Sequence, residues 1–205
     1  MSKEKYQKDL EEIKDIMNRS SRFISLSGMS GISAGVIALA GAFAAYKLVF
    51  TQKDILDYTQ GSVSNPDLNI LLLIAGITLL LSLGTGIFFT TKETKKRKQN
   101  IWDQQTKRLL TNLAIPLVTG GLLCLVFLAK DYLIFVMPLT LVFYGLALVN
   151  ASKYSINELR SLGIIEIFLG LVAAYFTEFS LILWALGFGL LHIIYGIVMQ
   201  LKNKS

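Results

Sequence analysis

The placement of charge along this chain leaves little choice of fold. Long runs with almost no charged side chain set six spans at about 23–50, 68–91, 109–129, 132–152, 161–177 and 179–201. The first run is uncharged as far as Tyr46, and the fifth is broken only by Glu166. Each comes close to the roughly 20 residues that an α-helix needs to cross about 30 Å of hydrocarbon. The expected fold class is an all-α membrane protein, with six transmembrane helices in three same-orientation hairpins and a cytoplasmic amphipathic N-terminal helix.

The basic residues then orient the spans. Of 20 Lys and Arg, 17 fall in alternate flanks: residues 1–22, the linker 92–108, Lys153 and Arg160, and Lys202 and Lys204. Only Lys47, Lys53 and Lys130 are left for the other side. Basic flanks stay on the cytoplasmic side during insertion, so both termini are expected there. The expected address is the bacterial cytoplasmic membrane, entered without a cleaved signal, because residues 1–22 are of mixed charge and the first span is too long for a signal core.

A composition of 53% hydrophobic and 17% charged residues leaves no room for a separate soluble domain within 23–201. The net charge of +6 follows from the insertion rule and from attraction to anionic lipid, so nucleic acid is not expected as a partner. Cys124 is the single cysteine and sits in an apolar stretch, where it acts as a small hydrophobe.

In the N-terminal segment, Tyr6, Leu10, Ile13 and Met17 recur at helical spacing opposite a charged face. Such a stripe packs on the bundle or in the headgroup layer; the sharper alternative is a short coiled-coil seam between copies. The first span is rich in small residues, with Ser27, Gly31 and Gly35 repeating every four, so a second helix can approach its backbone and the span is expected to be central. A path lined by small residues and hydroxyls is the functional alternative. The outer loop 52–67 reads as a solvated connector. In the linker, Lys95, Lys96, Arg97 and Lys98 form a juxtamembrane cluster beside Trp102, suited to anionic headgroups and an interfacial anchor.

Tight outer hairpins are expected at Lys130-Asp131 and at Thr177-Glu178. Thr85-Gly86-Ile87, Tyr144-Gly145-Leu146 and Tyr195-Gly196-Ile197 recur near the ends of the second helices, and Gly35, Gly120 and Gly170 near the middle of the first. The three hairpins thus read as a parallel, pseudo-threefold repeat. Pro116 and Pro138 are expected to kink the third and fourth helices. In the last hairpin, the stretch Leu162-Gly163-Ile164-Ile165-Glu166-Ile167-Phe168-Leu169-Gly170 is followed by Trp184-Ala185-Leu186-Gly187-Phe188-Gly189 and Tyr195-Gly196-Ile197. It resembles the repeat unit of small bacterial six-helix proteins of the HdeD acid-resistance type over about 40 residues. That resemblance implies a stress-related inner-membrane protein and brings no catalytic residues. The basic N-terminal helix and the long linker depart from the compact pattern of that family.

An ionisable residue within a span is costly, on the order of 2.5 to 3.5 kcal/mol at the centre, and is a functional candidate by default. Glu166 and His192 qualify. Counting from the basic anchors, Glu166 lies ~9 Å above Arg160, Tyr195 ~10 Å and His192 ~15 Å above Lys202. Glu166, His192 and Tyr195 thus form a candidate proton or ligand cluster; the alternative is a polar tie that only packs two helices together. No catalytic, cofactor or metal site is expected, because no metal-ligand spacing and no phosphate-binding glycine loop occurs. The expected function is a non-enzymatic membrane scaffold or stress-associated protein, with the bilayer as partner and self-association open through the first helix. A small transporter or proton-coupled permeation protein using Glu166 and His192 is the alternative. Single cysteines placed at Gly61 and Gln99, with Cys124 replaced by Ser, should be labelled from opposite sides of the membrane; labelling of both from outside overturns the topology.

Overall fold

A computed structural model describes Tyr6, Asp9, Leu10, Ile13 and residues 27–50, 65–96, 102–155 and 157–202. Among these residues every regular element is helical. Helix α1 spans Gly28–Ala45 and continues as a π-helix over Tyr46–Phe50. Helices α2 (Asn65–Lys96) and α3 (Gln104–Ala129) follow. Helix α4 (Val136–Ala151) is entered through one 3-10 turn and left through another, and leads to α5 (Asn157–Tyr175). The last span, Thr177–Lys202, is composite. It runs from a 3-10 turn through the short α6 (Ser180–Trp184) and a π-helix at Ala185–Leu191 into α7 (His192–Lys202).

Among the described residues, five helical stretches are long and apolar enough to cross a membrane: Gly28–Phe50, Pro66–Lys96, Gln104–Ala129, Leu133–Tyr154 and Thr177–Lys202. Helix α5 is less apolar, because Glu158, Arg160 and Glu166 fall within its 19 residues. The arrangement fits an all-α, multi-pass membrane protein. Of the expected N-terminal helix, Tyr6, Leu10 and Ile13 are helical and more than half exposed, while Met17 and the rest of its stripe lie outside the described residues. So do the outer loop 51–64 and Arg97 and Lys98 of the basic cluster. Lys95 and Lys96 end α2, and Trp102 is 71% exposed.

Local sequence explains the helix ends. Asp103 caps α3 by accepting from the Thr106 N–H at 2.6 Å. At the other end, Tyr132 N–H bonds Phe127 O and Asp131 N–H bonds Leu128 O, which is a Schellman closure. Asp131 takes the left-handed φ of 62° that such a closure needs, and the Tyr132 and Phe127 rings meet edge to face behind it. Pro116 lies inside the continuous α3. Pro138 sits in the first turn of α4, where a missing N–H interrupts no bond, so the kink expected there has no cause.

Glycine sets the packing. A Cβ on Gly145 would overlap Gly163 O, Ile167 N and Ile167 Cγ1; a Cβ on Gly196 would overlap Gly28 O, Ile32 N and Ile32 Cγ1. The crossings of α4 on α5 and of α7 on α1 therefore use the same three atoms. Gly28 and Gly163 are each followed seven residues later by a second contact glycine, Gly35 against Gly189 and Ile193, and Gly170 against Val142 and Leu141. On this register Glu166 stands in α5 where α1 has Gly31.

Of the three Gly positions expected to be equivalent, Gly145 and Gly196 thus make equivalent contacts. Among the described residues Gly86 has nothing within 4 Å, and Gly120 packs on Phe143 of α4. Helix α1 lies between α2 and the last span. At the chain's end, Lys202 donates to Glu158, tying α7 to the start of α5 and holding that carboxyl below its usual range.

In detergent, Gly163→Ala and Gly196→Ala should each lower stability by roughly 1 to 3 kcal/mol through overpacking against backbone. Gly121→Ala, with open space around it, should be neutral or stabilising by up to ~1 kcal/mol from helix propensity alone. Equal thermal shifts for all three would contradict the crossings.

Candidate functional site

The interior polar centre forms where α4, α5 and the last span meet. Helix α5 buries Glu166 completely, with 0% exposure, and α7 opens on His192, 6% exposed. Glu166 Oε1 and His192 Nδ1 are 3.5 Å apart. The structure therefore brings two of the three expected residues together, across a gap longer than the roughly 2.7–2.9 Å of a charge-assisted hydrogen bond. Among the described residues neither carboxyl oxygen of Glu166 has a hydrogen-bond partner.

His192 is occupied elsewhere. Its Nδ1 is 2.9 Å from Gly187 O and its Nε2 is 2.7 Å from the Tyr144 hydroxyl. A carbonyl only accepts, so Nδ1 carries a proton and donates; in the neutral ring Nε2 then accepts from the Tyr144 O–H. Both ring nitrogens are satisfied without Glu166.

Two local features build this geometry. The wide π-helical turns at Ala185–Leu191, a form often found at functional positions, hold the Gly187 carbonyl five residues before His192. Gly187 also makes room for the carboxyl: a Cβ there would overlap Glu166 Oε2 and the Leu141 side chain. Aromatic rings pack against the His192 side of the centre. Phe188 stacks on His192 at 5.9 Å and lies 4.9 Å from both Tyr144 and Trp184. The Trp184 indole donates to Thr140 Oγ1 at 3.2 Å, so this residue packs and bonds within the bundle.

Tyr195 is not joined to the pair. Its hydroxyl is buried without a hydrogen-bond partner, and its ring packs beside Leu109, Leu148, Ala151, Leu159 and Leu162. Three residues along a helix also mean ~4.5 Å of rise, which carries Tyr195 toward the Lys202 end of the last span while His192 stays beside Glu166. Tyr144 takes the place expected for it. The sequence marked both tyrosines through the Tyr-Gly repeat, but nothing in the spacing distinguished which one faced His192.

The expected packing residues lie on the α1 face toward the last span. Gly31 approaches Gly196 Cα and His192 O, each about 3.1 Å from where its Cβ would stand. Gly35 approaches Gly189, and Ser27 is buried at the start of the helix. His192 is consequently held from two sides, its backbone against Gly31 and its ring toward Glu166. Compared with known proteins, the chain matches no family model, no curated protein and no solved structure.

Tyr144→Phe removes the donor to His192 Nε2 and should cost about 1 to 3 kcal/mol by leaving a buried acceptor unpaired. Tyr195→Phe removes a hydroxyl that bonds nothing and should be neutral or stabilising. Thermal unfolding of the two variants side by side checks the assignment, and the reverse order would overturn it.

Proposed function

We propose that the chain is a six-span protein of the bacterial cytoplasmic membrane, with both termini cytoplasmic, acting as a non-enzymatic scaffold or stress-associated component. The carrying observation is the sealing of its polar centre. Glu166 has no accessible surface, and Gly187, Leu141 and the ring of His192 stand around its carboxyl. A hydrophilic substrate would need accessible polar groups along a path, whereas Tyr144 and His192 bond one another and the Gly187 carbonyl, and Glu166 has no accessible surface. The stress association follows the resemblance of the last hairpin to the HdeD type. Assignment of α5 as a span rests on its place between α4 and the last span, and on the shallow position of Glu158 and Arg160.

The second reading is a small transporter or proton-coupled permeation protein. One observation favours it: both oxygens of a fully buried carboxyl lack a hydrogen-bond donor, 3.5 Å from an imidazole. The proton on His192 Nδ1 could pass to an ionised Glu166 Oε1 after a small approach of the two groups, with Nε2 taking its replacement through the Tyr144 hydroxyl.

The two readings part on Glu166→Gln. The amide keeps size and hydrogen-bonding capacity but cannot titrate. In liposomes carrying an internal pH dye, the scaffold reading expects wild type to admit protons no faster than protein-free vesicles, with Glu166→Gln neutral or stabilising in detergent. Under the same reading His192→Leu lowers stability by roughly 1 to 3 kcal/mol, since Tyr144 and Gly187 lose their partner. A wild-type proton flux abolished by Glu166→Gln at unchanged stability would replace the scaffold reading with the second.

A further inference from the structure

We propose that one face of α2 is a seat for a single anionic phospholipid, with its acyl chain along Gly84, Ile87 and Phe88 and its phosphate on Lys92 and Lys95. The residues form two rows at the helical spacing of four, Gly84-Phe88-Lys92 and Ile87-Thr91-Lys95, which lie side by side on one surface of the helix. Together they line an open groove of about 530 Å³. Among the described residues nothing fills its apolar end: Gly84 has nothing within 4 Å, while Ile87 and Phe88 are 67% and 61% exposed on either side of the missing side chain.

The groove changes chemistry at the level where the bilayer does. Helix α2 is 32 residues long, ~48 Å, and so outreaches the roughly 30 Å hydrocarbon layer. From Gly84 to Lys92 the rise is ~12 Å, which places an apolar slot in the acyl layer directly below two ammonium groups in the headgroup layer. Among the described residues neither Lys92 nor Lys95 has an ion pair, unlike Lys202 with Glu158. Two unpaired cations over an apolar slot are complementary to one phosphate above one acyl chain, with the Thr91 hydroxyl between them as a donor to a phosphate or ester oxygen. A neutral or zwitterionic lipid would match the slot but not the net charge. The inference rests on the cytoplasmic placement of Lys92 and Lys95 proposed above, which labelling at Gly61 and Gln99 tests separately.

The test reads lipid retained by the full chain after extraction from nanodiscs of phosphatidylcholine and phosphatidylglycerol, counted by native mass spectrometry. Wild type should retain one phosphatidylglycerol in preference to phosphatidylcholine. The double variant Lys92→Gln/Lys95→Gln should hold it roughly 30-fold more weakly, from about 1 kcal/mol per lysine at the surface. Gly84→Leu keeps both lysines but fills the slot; it should lose the retained lipid while melting as wild type. Retention unaffected by Gly84→Leu would overturn the seat, leaving only diffuse attraction to basic residues. Displacement of the lipid by glycerol phosphate in solution at equal concentration would overturn it too, since the site would then hold a free phosphate.

Discussion

The close approach of helix backbones at paired glycines is the contact on which the rest of this bundle depends. Within hydrocarbon, apolar side chains gain little by moving from lipid to protein, so association rests on dispersion between well-fitted surfaces. Gly28 against Gly196 and Gly145 against Gly163 bring main chains together where any Cβ would collide with a carbonyl oxygen. These two crossings fix α7 on α1 and α5 on α4, and the last span is thereby held between the two halves. Gly86 of α2, which has no such partner, meets nothing among the described residues. Packing is tight where glycine stands on both helices.

The polar centre is a consequence of that packing. Because α1 presses on the backbone of the last span at Gly31, and α4 and α5 meet at Gly145 and Gly163, the ring of His192 is delivered between Tyr144 and Glu166. Gly187 adds the space a carboxyl needs, and the π-helical turns supply the carbonyl that orients the imidazole. The centre joins three segments that are distant in sequence, through one ring with two partners. Glu166 is the exception, a buried acid that the surrounding hydrogen bonds leave out. Buried polar groups are as a rule bonded, and an unpaired one marks a position where chemistry or strain has been retained.

Much of this was legible in the sequence. Charge-free runs located the helical stretches, because length and hydropathy are local properties that one segment displays by itself. Small residues at Gly31 and Gly35 announced a helix approached closely by another, and Glu166 and His192 stood out as the two ionisable groups within the apolar runs, although counting from the basic anchors levelled Tyr195 rather than His192 with Glu166. The Tyr-Gly repeat pointed to equivalent positions, of which two became equivalent contacts. The failures have physical causes too. Tyr144 stands beside His192 in place of Tyr195 because counting from separate basic anchors assumes that the two helix ends are level, an offset that only their packing sets.

The sequence by itself determined that the chain is helical, that it is apolar in membrane-length stretches, and which few ionisable groups lie within them, since these follow from the transfer cost of each residue alone. Tertiary structure decided which helices touch, which tyrosine satisfies His192, and that Glu166 is enclosed without a donor among the described residues. Those outcomes depend on the relative rotation and depth of segments as distant in sequence as Gly28 and Gly196. That geometry is set by where backbones can approach, a property of pairs of helices that neither helix carries alone.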